Sequence, residues 1–171
     1  PKDQISVSLF ESIYNLYNIA NVVIRDDTGL AKEVGGLIPG RNIILEVGIP
    51  AEKSVNKSEY TITQQNITYQ IGAKGDIKLT LINRFFEDQS LHTKAHRGPV
   101  SEIAKTIFEK YKYLKPGFYA PTQNIPTVWY QSKMTDAKFI NTVLLPNAYS
   151  PNSEITPYYS FLTSNGEYTF C

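Results

Sequence analysis

The amino-acid sequence predicts a mainly β, α+β chain: a small antiparallel β-barrel, then helices, then the start of a second β-rich domain. Three observations carry that prediction. Runs of alternating apolar and polar residues, separated by short turn signals, fill residues 1–87 without a convincing helix. After them, Val100, Ile103, Ala104, Ile107, Phe108 and Tyr111 recur at steps of three and four, the spacing of an amphipathic helix. Twelve Tyr and eight Phe stand against one Met and one Trp, a bias towards β structure and broad contact surfaces.

Taken in order, residues 5–10 (ISVSLF) alternate with Ile5, Val7 and Leu9 on one face, and 19–25 (IANVVIR) form a second strand closed by the turn Asp26-Asp27-Thr28-Gly29. The small-residue loop Gly35-Gly36-Leu37-Ile38-Pro39-Gly40 leads into the strand 42–49, and 51–58 (AEKSVNKS) read as a polar surface loop. Residues 59–71 and 77–83 pair as a hairpin across the turn Ala73-Lys74-Gly75-Asp76. A barrel or sandwich suits this pattern.

The composition then changes. Residues 88–98 (DQSLHTKAHRG) are polar and irregular. The helix is expected over 99–113, with Pro99 as its first residue and Lys110 and Lys112 in its last turn. Pro116, Gly117, Pro121 and Pro126 make 115–126 an extended linker. In Trp129–Ala148 a strand end is followed by Thr135, a helix cap with Asp136 behind it. Ala137, Phe139, Ile140, Val143, Leu144 and Leu145 then form an apolar face that Pro146-Asn147 stops. Strands at 158–162 and 167–170 end the chain in a hairpin with no visible sheet to join, which reads as a second β domain begun and unfinished. Domain expectations follow: 1–90 the barrel, 91–126 helix and linker, 127–171 the beginning of the second domain.

Charge and motifs exclude more than they suggest. A net charge of +1 gives no footprint for nucleic acid, and no apolar run approaches the ~20 residues that span a bilayer. Pro1 in place of Met points to processing or a fragment. Cys171, the single cysteine, forms no internal disulfide and has no shell to activate it. Asp88, His92 and His96 are four apart, so on a helix they would offer a carboxylate and two imidazoles to a metal such as zinc. No Glu follows His92 and the segment lacks helical periodicity, so a solvated loop is the better reading. Gly35 and Gly40 have phosphate-loop spacing, but Arg41-Asn42 follow and lead into a strand, which makes a β-turn the better account. No carboxylate pair is marked out for glycoside chemistry, and there is no Gly-x-Ser-x-Gly elbow. Asn56-Lys57-Ser58 and Asn66-Ile67-Thr68 match glycosylation sequons without a secretory signal. Tyr60 and Tyr69, and the group Tyr111, Tyr113, Phe118 and Tyr119, fit either a stacking platform for single-stranded nucleic acid or ordinary packing, and near-neutral charge favours packing. The residues themselves nominate no catalytic, metal or cofactor site.

The order of elements resembles the baseplate hub protein of T-even-like contractile-tail phages, a family related to the hub portion of type VI secretion spikes. The stretches that carry the resemblance are Ile5–Ser12 as opening strand, the hairpin around Ala73–Asp76, Phe85-Phe86 and the helix opening Val100-Ser101-Glu102-Ile103. The most telling is Ile125-Pro126 through Trp129 and then Thr135–Leu144, similar to the family's Ser-Asp-x-x-Phe-Leu-x-x-Leu helix after an aromatic strand; Gly166, Tyr168 and Phe170 match the hairpin after it. Met134 stands where secretion-spike relatives often carry Glu, and Leu145-Pro146 shortens the helix. The resemblance implies a structural, non-enzymatic virion protein without cofactor: a homotrimeric ring that mimics the tail tube on one side and holds the central spike on the other. Its partners would be copies of itself, the spike and tube or tube-initiator proteins, with no membrane and no specific nucleic acid. A β-barrel module binding single-stranded nucleic acid or glycan is the first rival. A metal-assisted hydrolase using His92 and His96 is the second.

Overall fold

The computed structural model describes residues 5–14, 16–26, 37–48, 55–69, 75–152 and 157–171, with the side chains of Tyr69 and Glu87 excepted. The expected turn residues Asp27–Gly29, Gly35 of the small-residue loop, residues 51–54 of the polar loop, and Ala73-Lys74 lie outside the described residues. The chain divides into two compact units: Pro1–Glu11 with Asn18–Glu87, and Ser12–Tyr17 with Asp88–Cys171.

The first unit is one curled antiparallel sheet, a half-barrel, built from β1 (Ile5–Phe10), β2 (Ile19–Asp26), β3 (Asn42–Gly48), β4 (Val55–Tyr69) and β5 (Gly75–Asn83) in the order β1-β2-β5-β4-β3. The mainly β reading of this half holds. Period-2 alternation places Ala20, Val22, Tyr60, Ile62, Ile77, Leu79 and Leu81 on one face as the core. Register turns these into rows across the sheet: Leu9, Ala20, Leu81 and Ile62 in one, and Ile5, Ile24, Ile77 and Ile67 in another.

Strand β4 starts at Val55, so the second half of the expected polar loop is strand instead. Asn56, Lys57 and Ser58 pair with Val47, Glu46 and Leu45, and Lys57 meets Glu46 at 2.7 Å. A bulge between Ile62 and Gln64 interrupts β4. Without that extra residue Ile67 would fall on the opposite face from Ile62; with it, Ile67 returns to the row of Ile77. Gly40, φ +88°, sits at the turn Ile38–Arg41, with Pro39 before it and Arg41 N donating to Ile38 O at 3.2 Å. Proline followed by a positive-φ residue is the type II arrangement, which only glycine occupies without strain. A short helix missed in the sequence, α1 (Arg84–Glu87), follows β5, its start capped by Asn83 Oδ1 accepting from Phe86 N at 3.0 Å.

The second unit contains β6 (His92–Arg97), α2 (Val100–Phe108), β7 (Val128–Met134), α3 (Asp136–Phe139), and the hairpin β8 (Ser160–Leu162) and β9 (Tyr168–Phe170). Here the sequence reading needs correction in four places. His92–Arg97 is a strand antiparallel to β7, where a polar irregular stretch was expected. Helix α2 buries Val100, Ile103, Ala104, Ile107 and Phe108 as anticipated, but it ends at Phe108. The bonds Lys110 N to Ile107 O and Tyr111 N to Phe108 O tighten the chain into i→i−3 turns. Tyr111 thereby leaves the helix face, and Lys105, not Lys110 and Lys112, lies in the last turn. Pro99 is the cap position and not the first helical residue, and it offers no side-chain acceptor. Thr122 does that work from 21 residues away, its Oγ1 accepting from Ser101 N at 3.0 Å.

Third, the helix after Thr135 is composite. Thr135 caps it as expected, accepting from Lys138 N at 3.2 Å, but α3 runs on as a π turn (Ile140–Leu144) and a 3-10 turn (Leu145–Asn147). The wider turn aligns Ile140 with Leu144, which are fully buried, and leaves Val143 and Leu145 half-buried. Fourth, the β8–β9 hairpin does have a neighbour. Residues 115–120, expected as a linker, run beside it with parallel bridges Lys115 to Glu167 and Tyr119 to Phe170. Residues 12–17 belong to this second unit although they connect β1 to β2; Leu16 is buried and Tyr14 packs edge-on against Tyr159 at 5.6 Å.

Candidate functional site

The second unit gathers buried polar groups where β6, β7 and the start of α3 meet, with Asp136 at the centre. Asp136 is 0% exposed. Following the cap residue Thr135, it lies in the first helical turn, where the exposed amide dipoles favour a carboxylate. Its Oδ1 accepts from Gln131 Nε2 at 2.7 Å and its Oδ2 from the Tyr111 hydroxyl at 2.9 Å. Lys110 Nζ stands 3.7 Å and His92 Nε2 3.9 Å from the same Oδ2. Gln89 closes the ring, its Oε1 accepting from Ala137 N at 3.0 Å and its Nε2 reaching the Tyr111 hydroxyl at 3.4 Å.

Gln131 is the only inward residue of β7 that is fully buried. Its Nε2 donates to both Asp136 Oδ1 and Met134 O, so its Oε1 must be the atom facing His96 Nε2 at 3.2 Å. His96 therefore donates from Nε2, and its ring stacks on Phe139 at 5.0 Å. Burial is the main cause that lowers the His96 pKa, with Lys110 and Lys94 adding to it; the Gln131 bond and the Asp136 charge act in the opposite direction. Burial, and then the charge and hydrogen bond of Asp136, push the Tyr111 hydroxyl well up, which keeps it a donor. Both Asp136 oxygens accept a hydrogen bond within the unit. Physically it is a knot that ties one strand pair, one turn and one helix start together.

A pH prediction follows from His96. Unfolded, it takes a proton at its ordinary value near 6.5; folded, it takes one only at lower pH. Between those two values the unfolded chain binds more protons, so stability falls as pH drops through the window and levels off below it. Thermal melts from pH 7.5 to 4.5 should show the stability difference between the native chain and His96→Gln shrinking towards acid. A constant difference across that range would count against the assignment.

The sequence-based candidates disperse. Asp88 Oδ2 accepts from the Tyr113 hydroxyl at 3.3 Å, His92 faces Asp136 and His96 faces Gln131. Among the described residues no group of three His, Cys, Asp or Glu side chains is placed to hold a metal ion. Gly40 serves its turn. Tyr60, 1% exposed, is core, and burial together with Glu11 pushes its hydroxyl up to about 12. Tyr111 and Tyr113 meet edge-on at 6.0 Å, Tyr119 tilts against Tyr168 at 5.8 Å, and Phe118 is exposed. These aromatics do not line up as a stacking platform. Cys171 is a half-buried free thiol whose backbone pairs with Tyr159. Sequence reasoning found Asp136 as a cap companion but missed Gln131 and Tyr111 as its partners. No local signal marks a contact spanning 25 residues.

No family model and no curated protein matches the chain. Solved structures do. The tail protein from Neisseria meningitidis MC58 superposes with a TM-score of 0.59 at 14% identity, covering 98% of this chain and 50% of that one. The 43 kDa tail protein of prophage MuSo2 from Shewanella oneidensis gives 0.51 at 8% identity, covering 99% and 54%. The chain thus has the fold of these two proteins and spans about half the length of each.

Proposed function

We propose that this chain is a structural component of a phage tail, the part of a baseplate hub that forms a ring joining the tail tube to the central spike. The observation that carries this reading is the fold shared with two tail proteins over nearly the whole chain. The order of elements behind the hub resemblance supports the finer assignment. In this reading the protein is a virion tail part, three copies make the ring, and its partners are the spike and the tube or tube-initiator proteins.

A second observation favours assembly over a solitary role. Strand β1 forms an edge of its sheet, and ISVSLF carries no charge or proline to discourage pairing. Ile5, Val7 and Leu9 continue the core rows yet are 64%, 38% and 37% exposed. Such an edge calls for a neighbouring strand or surface in the assembled particle.

Antibody raised against this chain should decorate the tail tip of purified particles in electron micrographs. Label on the capsid, or no label on any particle, would overturn the proposal. The paired variant Val7→Lys, Leu9→Lys should keep its melting temperature within a few degrees, because both sites are partly solvated, while blocking ring formation and yielding tailless particles. Normal tails from that variant would remove β1 from the assembly surface.

A further inference from the structure

Beside the end of α2, the second unit holds a cleft of about 370 Å³, within the range of roughly 300–1,000 Å³ typical of ligand sites. Its apolar lining is Phe108, Leu114 and Tyr119, and three lysines, Lys105, Lys112 and Lys115, stand around it with a single acid, Glu109. Three positive charges less one negative leave +2 in this one cleft, whereas the whole chain carries +1. All three lysines are exposed, and among the described residues none is within salt-bridge distance of a carboxylate. Lys105 offsets the dipole at the helix end, but Lys112 and Lys115 lie beyond that end and have no such duty.

The walls are built in advance. Phe108 stacks on the fully buried Tyr168, and Tyr119 packs against the same ring. The strand-like wall is pinned to the hairpin by Lys115 N to Gly166 O at 2.9 Å and Ala120 N to Phe170 O at 2.7 Å. A cleft already held in shape loses little freedom when it is filled. The Tyr119 hydroxyl, held up near 12 by burial and Glu109, stays protonated at neutral pH.

We infer that this cleft docks an acidic peptide segment of a partner protein, with an aromatic or aliphatic side chain on the apolar floor and flanking carboxylates at Lys105, Lys112 and Lys115. Charge complementarity selects the sign of the occupant, and the apolar floor selects one with an anchor. The lining contains no arginine fork for bidentate phosphate binding, and a chain with net charge +1 lacks the wider field that draws a polyanion. The inference does not depend on the tail assignment.

The test is calorimetric titration of the chain with the acetylated peptide Glu-Asp-Phe-Leu-Asp-Glu, in low and high salt. Saturable binding is expected, weakened about tenfold by the double variant Lys112→Glu, Lys115→Glu and by a similar factor at high salt. A peptide with Gly-Gly in place of Phe-Leu should bind far more weakly. The lysines are exposed, so an unchanged melting temperature separates lost docking from lost folding. No saturable binding at millimolar peptide, or binding indifferent to the lysine changes, overturns the inference. So does tighter binding of an oligothymidylate through the same lysines, which would make the cleft a nucleic-acid site.

Discussion

Gly117→Ala should displace or unfold the β8–β9 hairpin. A methyl group at Gly117 would fall on the carbonyl oxygen of Tyr168, 2.5 Å from its carbonyl carbon and 3.0 Å from its amide nitrogen. These are backbone atoms of a strand and cannot rotate aside as a side chain would. The hairpin must move, and three hydrogen bonds that join it to residues 115–120 go with it: Lys115 N to Gly166 O, Phe170 N to Phe118 O, and Ala120 N to Phe170 O. Tyr168 and Phe170, both fully buried, lose their packing as well. We expect a loss of about 3–5 kcal/mol, at the severe end for single substitutions. For a chain of this size that is a melting temperature roughly 6–20 °C lower. The contrast is Gly40, where a Cβ meets nothing within 4 Å and only the positive φ resists alanine, at a cost of about 1 kcal/mol. If Gly117→Ala melts no lower than Gly40→Ala, the hairpin yields to the added methyl without cost and the close approach at Tyr168 is not what holds it.

Asp136→Ala should be the most damaging polar substitution. It strips the Tyr111 hydroxyl and one Gln131 N–H of their acceptor inside the protein, while Lys110, 39% exposed and 3.7 Å away, turns to water at small cost. Leaving buried donors unmatched costs about 1–3 kcal/mol each. Because Gln131 keeps its bond to Met134 O, the sum should be about 2–4 kcal/mol. Asp136→Asn preserves shape and one acceptor and should lose about half as much. Denaturant titration of both variants, with Tyr111→Phe to close a double-mutant cycle, resolves the pair. A loss under about 1 kcal/mol for Asp136→Ala, or equal losses for Ala and Asn, would mean that the knot is solvated and that its bonds count for little.

These two sites mark the boundary of what could be read from sequence. The half-barrel strands, the apolar stripe of α2 and the Thr135 cap were legible because each is written in a local period or a local hydrogen bond. Strand β6 was not, because its inward positions are His92 and His96, whose ring nitrogens face Asp136 and Gln131 instead of burying hydrocarbon. The bulge at Ile62–Gln64 and the π turn at Ile140–Leu144 each insert a residue into a regular period, and no periodic template anticipates an insertion. Residues 115–120 looked like linker because Pro116 and Gly117 break helices and weaken strands. In the fold, Gly117 is the residue small enough to let a backbone pass. The Asp136 partners were invisible for a different reason: Gln131, Tyr111 and Gln89 come together only once the second unit has folded.

One connection also bears on the order of events during synthesis. Residues 12–17 leave the ribosome before the rest of their unit, between two strands that pair with each other, yet Leu16 and its neighbours belong with residues 88–171. The first sheet can zip β1 to β2 as soon as both emerge, since their pairing is local. The six-residue link meets the rest of its unit only after residues 88–171 have followed it. The second unit released alone from Asp88 onward would lack a segment that was translated before any of it, so its folding is tied to a piece of chain made before the first sheet was complete.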